Sequence, residues 1–221
     1  MRSQLSASDD HIGKDHVQKK QVQADKQRAR IAALAIRSKL SAEQCLEAGT
    51  SLANRVMHSS LITTANTVAA YVSMGTEIST FPLLATLLSQ QKRVLVPRLG
   101  AGRDVLWGVL DDVATMHNMG SHRPQEPETD LLPPESVQGA EVIFVPALAV
   151  DSSGNRLGRG AAWYDEALTH RRKTALTVAV CWPWEFRSDV VPSQDHDVRM
   201  DAVLTPESFT LLASNKSYDK K

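Results

Sequence analysis

An apolar run from Val142 to Val150 passes through the turn Asp151-Ser152-Ser153-Gly154 into Asn155-Arg156-Leu157-Gly158-Arg159-Gly160-Ala161-Ala162-Trp163-Tyr164-Asp165. No other junction in the chain restricts the fold as tightly. The run reads as one buried strand and the residues from Ala161 onward as a helix, so the glycines and arginines occupy a loop at a strand's carboxyl end. Ligands of open α/β sheets bind at such ends. Glycine lets backbone amides come close to oxygen atoms, arginine adds a forked cationic donor, and the following helix points unpaired N–H groups at the loop. An anion, phosphate foremost, suits that combination. The loop is not of the Walker type, because no Gly-Lys-Ser/Thr follows. Nor is it the dinucleotide fingerprint, since Trp163 stands where a third glycine belongs. From spacing alone a solvated surface turn is the competing reading, and both stay open at this level.

The chain has 221 residues, 42% of them hydrophobic, enough for one α/β domain with a full core. Lysine plus arginine and aspartate plus glutamate each number 25, so no net field draws the protein to nucleic acid or to a membrane surface. Cys45 and Cys181 have no metal-ligand or redox spacing and suit reduced thiols in a cytoplasmic protein. Neither a signal-type segment nor a run of membrane-spanning length is present in the sequence. Residues 1–23 are too polar to offset the entropy of ordering them and read as a mobile extension. The domain is expected over 24–212, with a mobile tail at 213–221.

Helical spacing runs from Ala24 to Leu40, and Ser41 with Gln44 forms a capping box opening a second helix that carries Cys45, Leu52, Ala53 and Val56. Together they predict an N-terminal αα-hairpin. Thr67 to Val72 reads as a strand, Phe81 to Ser89 as a helix begun by Thr80, and Arg93 to Val96 as a strand stopped by Pro97. This βαβ order demands parallel strands. Asp104 to Leu110 adds a strand, His117 to Gly139 an irregular loop, Ala161 to Arg171 a short helix, and Thr174 to Cys181 and Asp201 to Leu204 two further strands. The predicted fold class is α/β: a single domain with a parallel-dominated sheet flanked by helices on both faces, in Rossmann-like layering.

The string Gly154 to Leu168 resembles the signature of the 5-formyltetrahydrofolate cyclo-ligases, the 5,10-methenyltetrahydrofolate synthetases. Other segments match in the same order: Lys26-Gln27-Arg28-Ala29-Arg30, Arg37-Ser38-Lys39-Leu40-Ser41, Tyr71 to Thr80, Pro97-Arg98, Glu126-Pro127 and His196 to Asp201. The resemblance covers about residues 26 to 206. It implies an enzyme that uses ATP and Mg²⁺ to phosphorylate the formyl oxygen of 5-formyltetrahydrofolate, after which N10 closes the ring to 5,10-methenyltetrahydrofolate. A non-catalytic folate- or nucleotide-binding relative is the alternative reading.

The resemblance also implies site residues. ATP would be held by Lys26, Arg30, Arg156, Leu157, Gly158, Arg159, Gly160, Ala161, Ala162, Trp163 and Tyr164. Lys26, Arg30 and Arg159 would carry catalysis by offsetting charge on the transferred phosphoryl group. Folate would be held by Val72, Met74, Glu77, Arg159, Trp163 and Tyr164, with the Glu77 carboxylate gripping the pterin edge. Asp165 and Asp197 would ligate Mg²⁺, a hard ion that takes one or two carboxylates beside phosphate oxygens. His196 is read as structural. Folate and ATP are the expected partners of a monomer, without nucleic acid or membrane. Ala161, Ala162, Trp163 and Glu166 depart from the family pattern, and both alanines are expected at negative φ.

Overall fold

The computed structural model describes residues 6–99, 105–120, 123–194 and 197–212. In chain order the elements are α1 (Ser6–Arg37), α2 (Ala42–Val56), α3 (Ser60–Thr63), β1 (Thr67–Ala70), α4 (Phe81–Ser89), β2 (Arg93–Leu99) and β3 (Val105–Leu110). There follow β4 (Met116–His117), β5 (Glu126–Pro127), β6 (Val142–Pro146), β7 (Ala149–Asp151), β8 (Arg156–Leu157), α5 (Trp163–Thr169), β9 (Leu176–Val180), β10 (Phe186–Arg187), β11 (Ala202–Leu204) and β12 (Phe209–Leu211).

Among the described residues the main sheet runs β12-β11-β9-β6-β1-β2-β3. Its interior pairs are parallel, and β3 and β12 close the two edges antiparallel. The chain lays β2 and β3 on one side of β1 and then returns to lay β6 on the other. The order therefore reverses between β1 and β6, where the carboxyl ends of the strands open a crevice.

Strand alternation divides the core between the two faces of the sheet. Val68, Ala70, Phe144, Val178 and Leu204 pack with Leu52 of α2 and Leu84 of α4. Ala69, Ile143, Val145, Ala179 and Val203 pack with Ala167 and Leu168 of α5 and with Val137 of the 3-10 turn Pro134–Gly139. Helices thus cover both faces, as the sequence predicts.

Several boundaries differ from expectation. The run 142–150 is not one strand. β6 ends at Pro146, and β7 belongs to a separate small sheet with β8 and β10. Pro97 does not stop β2, which pairs on to Leu99. Opposite Pro97, Trp107 turns its own N–H and C=O to Leu132 at 3.0 and 2.8 Å, so Pro97 and Trp107 form a pair without mutual hydrogen bonds. The parallel register with β1 has already ended at Leu95, so the missing N–H costs no ladder bond.

β1 closes at Ala70 rather than Val72, and α5 is shorter at both ends than predicted. The loop after β3 contains the β4–β5 ribbon. The first helix starts at Ser6 rather than Ala24, in keeping with the helix-favouring lysine, glutamine and alanine of that stretch. The side chains described from 17 to 23 are exposed or half-buried. The capping box is present: Gln44 N donates to Ser41 Oγ at 3.1 Å and Ser41 N to Gln44 Oε1 at 2.9 Å. The helices it separates touch little, because α2 packs on α4 while Ala29 and Ala33 of α1 pack beside Leu148 and Leu157. The tail from 213 lies outside the described residues.

Candidate active site

Two loops meet at the crevice. The first follows β1 and is locked by reciprocal bonds, Ser73 N to Thr80 Oγ1 at 2.9 Å and Thr80 N to Ser73 Oγ at 3.0 Å. Within it Gly75, at φ +58°, lets the chain turn so that the Glu77 side chain bends back to accept Met74 N at 2.9 Å. Glu77 is buried, and that burial raises its pKa above the ordinary carboxylate value although the Arg159 guanidinium beside it pulls the other way.

The second loop begins in the β7–β8 hairpin. There the Asp151 carboxylate accepts Ser153 N, Asn155 N, Asn155 Nδ2 and Val191 N at 2.8 to 3.0 Å. Gly154 has φ +82°, and a Cβ there would stand 2.4 Å from Met200 O, so only glycine fits. The Met200 amide donates to Gly154 O at 2.8 Å and ties the hairpin to the segment that carries Asp197.

From this anchor the signature crosses the carboxyl end of β6. Arg156 donates to Pro146 O at 3.0 Å and to Asp165 Oδ1 at 2.7 Å, while its Nε is buried without a partner among the described residues. Its guanidinium passes 2.8 Å from where a Gly158 Cβ would sit. Arg30 on α1 donates to Gly158 O at 2.9 Å and lies close beneath Gly160. One turn earlier on α1, Lys26 pairs with Asp197 at 2.5 Å, and Asp197 also accepts Gln194 N at 2.7 Å. Arg159 reaches across the crevice to Glu77, Nε to Oε1 at 3.0 Å.

One cavity unites most of the residues singled out from sequence. Val72, Met74 and Glu77 form one wall, and the loop from Gly158 to Asp165, with Arg156, forms the other. Lys26, Arg30 and Asp197 sit behind that loop rather than in the wall. Leu157 is turned away: strand alternation buries it with Leu148, Ala149 and Val191, so only its backbone faces the loop. Ala162 overturns one expectation. Its φ is +59°, because the chain must reverse handedness there to start α5 directly after Gly160. His196 lies outside the described residues.

Sequence reasoning did not assign Arg37 or Tyr71 to the site, yet both line the cavity. Arg37 donates twice to Glu185 at 2.7 Å and to Ala147 O at 2.6 Å, fixing the end of β6 from below. Its place on the same helix as Lys26 and Arg30 was the available signal. Tyr71 directly precedes Val72, but nothing local separates a lining tyrosine from a core one. Burial pushes the Tyr71, Tyr164 and Cys181 pKa values up and keeps all three neutral. Cys45 and Cys181 are free and buried. Among the described residues no helix is long and apolar enough to cross a membrane, and no cluster of three or more histidine, cysteine, aspartate or glutamate side chains forms a ready metal cage.

The model of the 5-formyltetrahydrofolate cyclo-ligase family matches residues 22–206, which take in both loops, α1 from Val22 onward and every ion pair just described. The chain belongs to the 5-formyltetrahydrofolate cyclo-ligase family. The 5-formyltetrahydrofolate cyclo-ligase of Mycolicibacterium smegmatis is 38% identical to it over 182 residues, covering 78% of this chain and 90% of the relative. That of Escherichia coli is 30% identical over 175 residues, covering 77% and 94%. Among solved structures, the 5,10-methenyltetrahydrofolate synthetase of Aquifex aeolicus superimposes with a TM-score of 0.72 at 24% identity, covering 87% of this chain and 95% of that one. That likeness establishes the shared fold.

Proposed function

We propose that this chain is an ATP- and Mg²⁺-dependent cyclo-ligase that converts 5-formyltetrahydrofolate to 5,10-methenyltetrahydrofolate. The observation that carries the reading is the convergence of Glu77 and Arg159 on one cavity at the point where strand order reverses. Glu77 accepts paired donors from the pterin edge, which sets the N5-formyl group toward the loop. Trp163 and Tyr164 add flat apolar surface for the ring. Arg159, Gly158 and Gly160 face the triphosphate, while Arg30 and Lys26 add positive charge from behind the loop.

The formyl oxygen attacks the γ-phosphorus of ATP and displaces ADP. N10 then attacks the activated carbon, and the oxygen leaves as part of inorganic phosphate while N10 loses its proton. Amide oxygen alone is too poor a leaving group, so phosphorylation is what makes ring closure accessible. The protein's work is positioning and charge neutralisation, mainly by Arg159 as charge builds on the transferred group. Arg156, almost enclosed, braces the loop against β6 and presents its charge in the same cavity wall.

The donor set fits Mg²⁺. Only Oδ1 of Asp165 is engaged by Arg156, its Oδ2 has no hydrogen-bond partner among the described residues, and Asp197 supplies a second hard oxygen. When bound, the ion would neutralise phosphate charge. Folate and ATP are the partners of a monomer.

The test is direct. Purified protein mixed with ATP, Mg²⁺ and 5-formyltetrahydrofolate should develop the absorbance of the methenyl product with matching release of ADP. Calorimetric binding of both substrates with no absorbance change and intact ATP would instead identify a non-catalytic relative.

A further inference from the structure

Tyr71 leaves the end of β1 at the switch point, is 2% exposed and lines the cavity. Its ring packs in the main core cluster, but its hydroxyl forms no hydrogen bond with any described residue. With no acceptor among the described residues, a hydroxyl at the cavity wall is available to donate to a ligand. The group is not isolated from charge: it lies near enough to Glu77, Arg37 and Tyr164 to feel each of them. Burial holds it well above the ordinary tyrosine value, so it is a proton donor at every working pH.

The ligand chemistry follows from the neighbour. A reduced pterin presents along one edge an amino group, a ring N–H and then a carbonyl oxygen, two donors followed by an acceptor. A carboxylate satisfies the two donors and leaves the acceptor facing an adjacent position that requires an O–H or N–H. Arg159 Nε is engaged with Glu77 Oε1, and Met74 N already serves Glu77 Oε2, so neither is free to meet that acceptor. We propose that Tyr71 is a further substrate-binding residue whose hydroxyl donates to the 4-oxo oxygen of the pterin held by Glu77, so that it selects 4-oxo over 4-amino pterins. This rests on the folate reading given above.

The experiment compares wild type with Tyr71→Phe, which keeps the ring and removes only an unpartnered hydroxyl. Dissociation constants are measured for 5-formyltetrahydrofolate and for its 4-amino counterpart, together with the unfolding midpoint of each protein without ligand. The variant should bind the 4-oxo compound roughly fivefold more weakly, as loss of one neutral hydrogen bond implies. Its affinity for the 4-amino compound should change less than about twofold, and its unligated midpoint should stay equal or rise. Equal weakening for both compounds, or no change for either, overturns the role assigned to Tyr71 while leaving the folate site standing. Failure of the wild type to bind either compound sinks the folate reading, and the Tyr71 proposal with it.

Discussion

Arg159 Nε stands 3.0 Å from Glu77 Oε1. The cation proposed to meet the nucleotide and the carboxylate proposed to grip the pterin are thus partners across the crevice. Lys26 with Asp197 and Arg156 with Asp165 repeat the arrangement, each joining a basic residue of the proposed nucleotide site to an acidic residue of the proposed metal site. A nucleotide bearing a divalent cation brings both signs of charge. Phosphates can take the basic partners and the metal the acidic ones without stranding a buried charge.

Arg159→Ala should lower kcat about a hundredfold, equivalent to about 3 kcal/mol of transition-state stabilisation. Its unfolding midpoint should hardly move, because the Arg159 side chain is 42% exposed and its ion pair contributes little to folding. Glu77→Gln should raise KM for the folate, and the double variant should be clearly non-additive in folate binding. Kinetics of the four proteins with parallel urea unfolding decides the matter; equal losses of rate and stability would place both residues in the scaffold.

Asp165→Asn keeps an oxygen for Arg156 but removes the charge proposed to face Mg²⁺. Turnover should fall at least tenfold, the Mg²⁺ concentration for half-maximal rate should rise, and stability should change by less than about 1 kcal/mol. Titration of the rate with Mg²⁺ at fixed ATP reads this out.

Ala162 holds a left-handed backbone that an alanine adopts at a cost. Ala162→Gly should therefore stabilise the protein by about 1 kcal/mol, and Ala162→Val should destabilise it by more. Urea midpoints measure both. A destabilised glycine variant would contradict the backbone handedness found there.

Glu185→Ala leaves the Arg37 guanidinium enclosed with Ala147 O as its remaining acceptor among the described residues, and should cost about 3 to 5 kcal/mol of stability. This pair contrasts with Arg159 and Glu77, whose loss should appear in rate. Chemical denaturation of the two variants side by side tests the contrast.

Glu77 also predicts a pH dependence. Because burial raises its folded pKa above the ordinary 4.5, the folded protein keeps a proton that the unfolded chain has already released. Its contribution is fully present below 4.5 and is lost as pH rises through the raised folded value. The stability of wild type relative to Glu77→Gln should accordingly decline with rising pH across that interval. A flat or rising difference in urea-derived stabilities would contradict it.

What was legible along the chain was set by neighbours in sequence. The capping box at Ser41 and Gln44, the start of α4 at Phe81 and the buried strand β9 follow from local hydrogen bonding and periodicity. The ordered family motifs likewise assigned Glu77 to folate, Arg159 to the phosphates and folate and Asp165 to Mg²⁺, and the structure brings all three to one cavity. Less legible were features in which a local rule is outweighed by a distant partner. Pro97 stays within β2 because Trp107 turns to Leu132. The run 142–150 divides at Pro146, and β7 then joins β8 and β10 instead of the main sheet.

By itself the sequence determined the α/β order of elements, the anion-suited chemistry of the Gly154 to Asp165 segment and the family to which it belongs, because composition and spacing are properties of the chain alone. Only the tertiary structure decided that Arg156 braces while Arg159 reaches, that Leu157 faces the core, that Ala162 turns left-handed, and that Arg37 and Tyr71 belong to the cavity. Those outcomes depend on which side of the chain faces which neighbour once the sheet has closed. They are fixed by packing between residues as far apart as Arg37 and Glu185, a relation that no local pattern encodes.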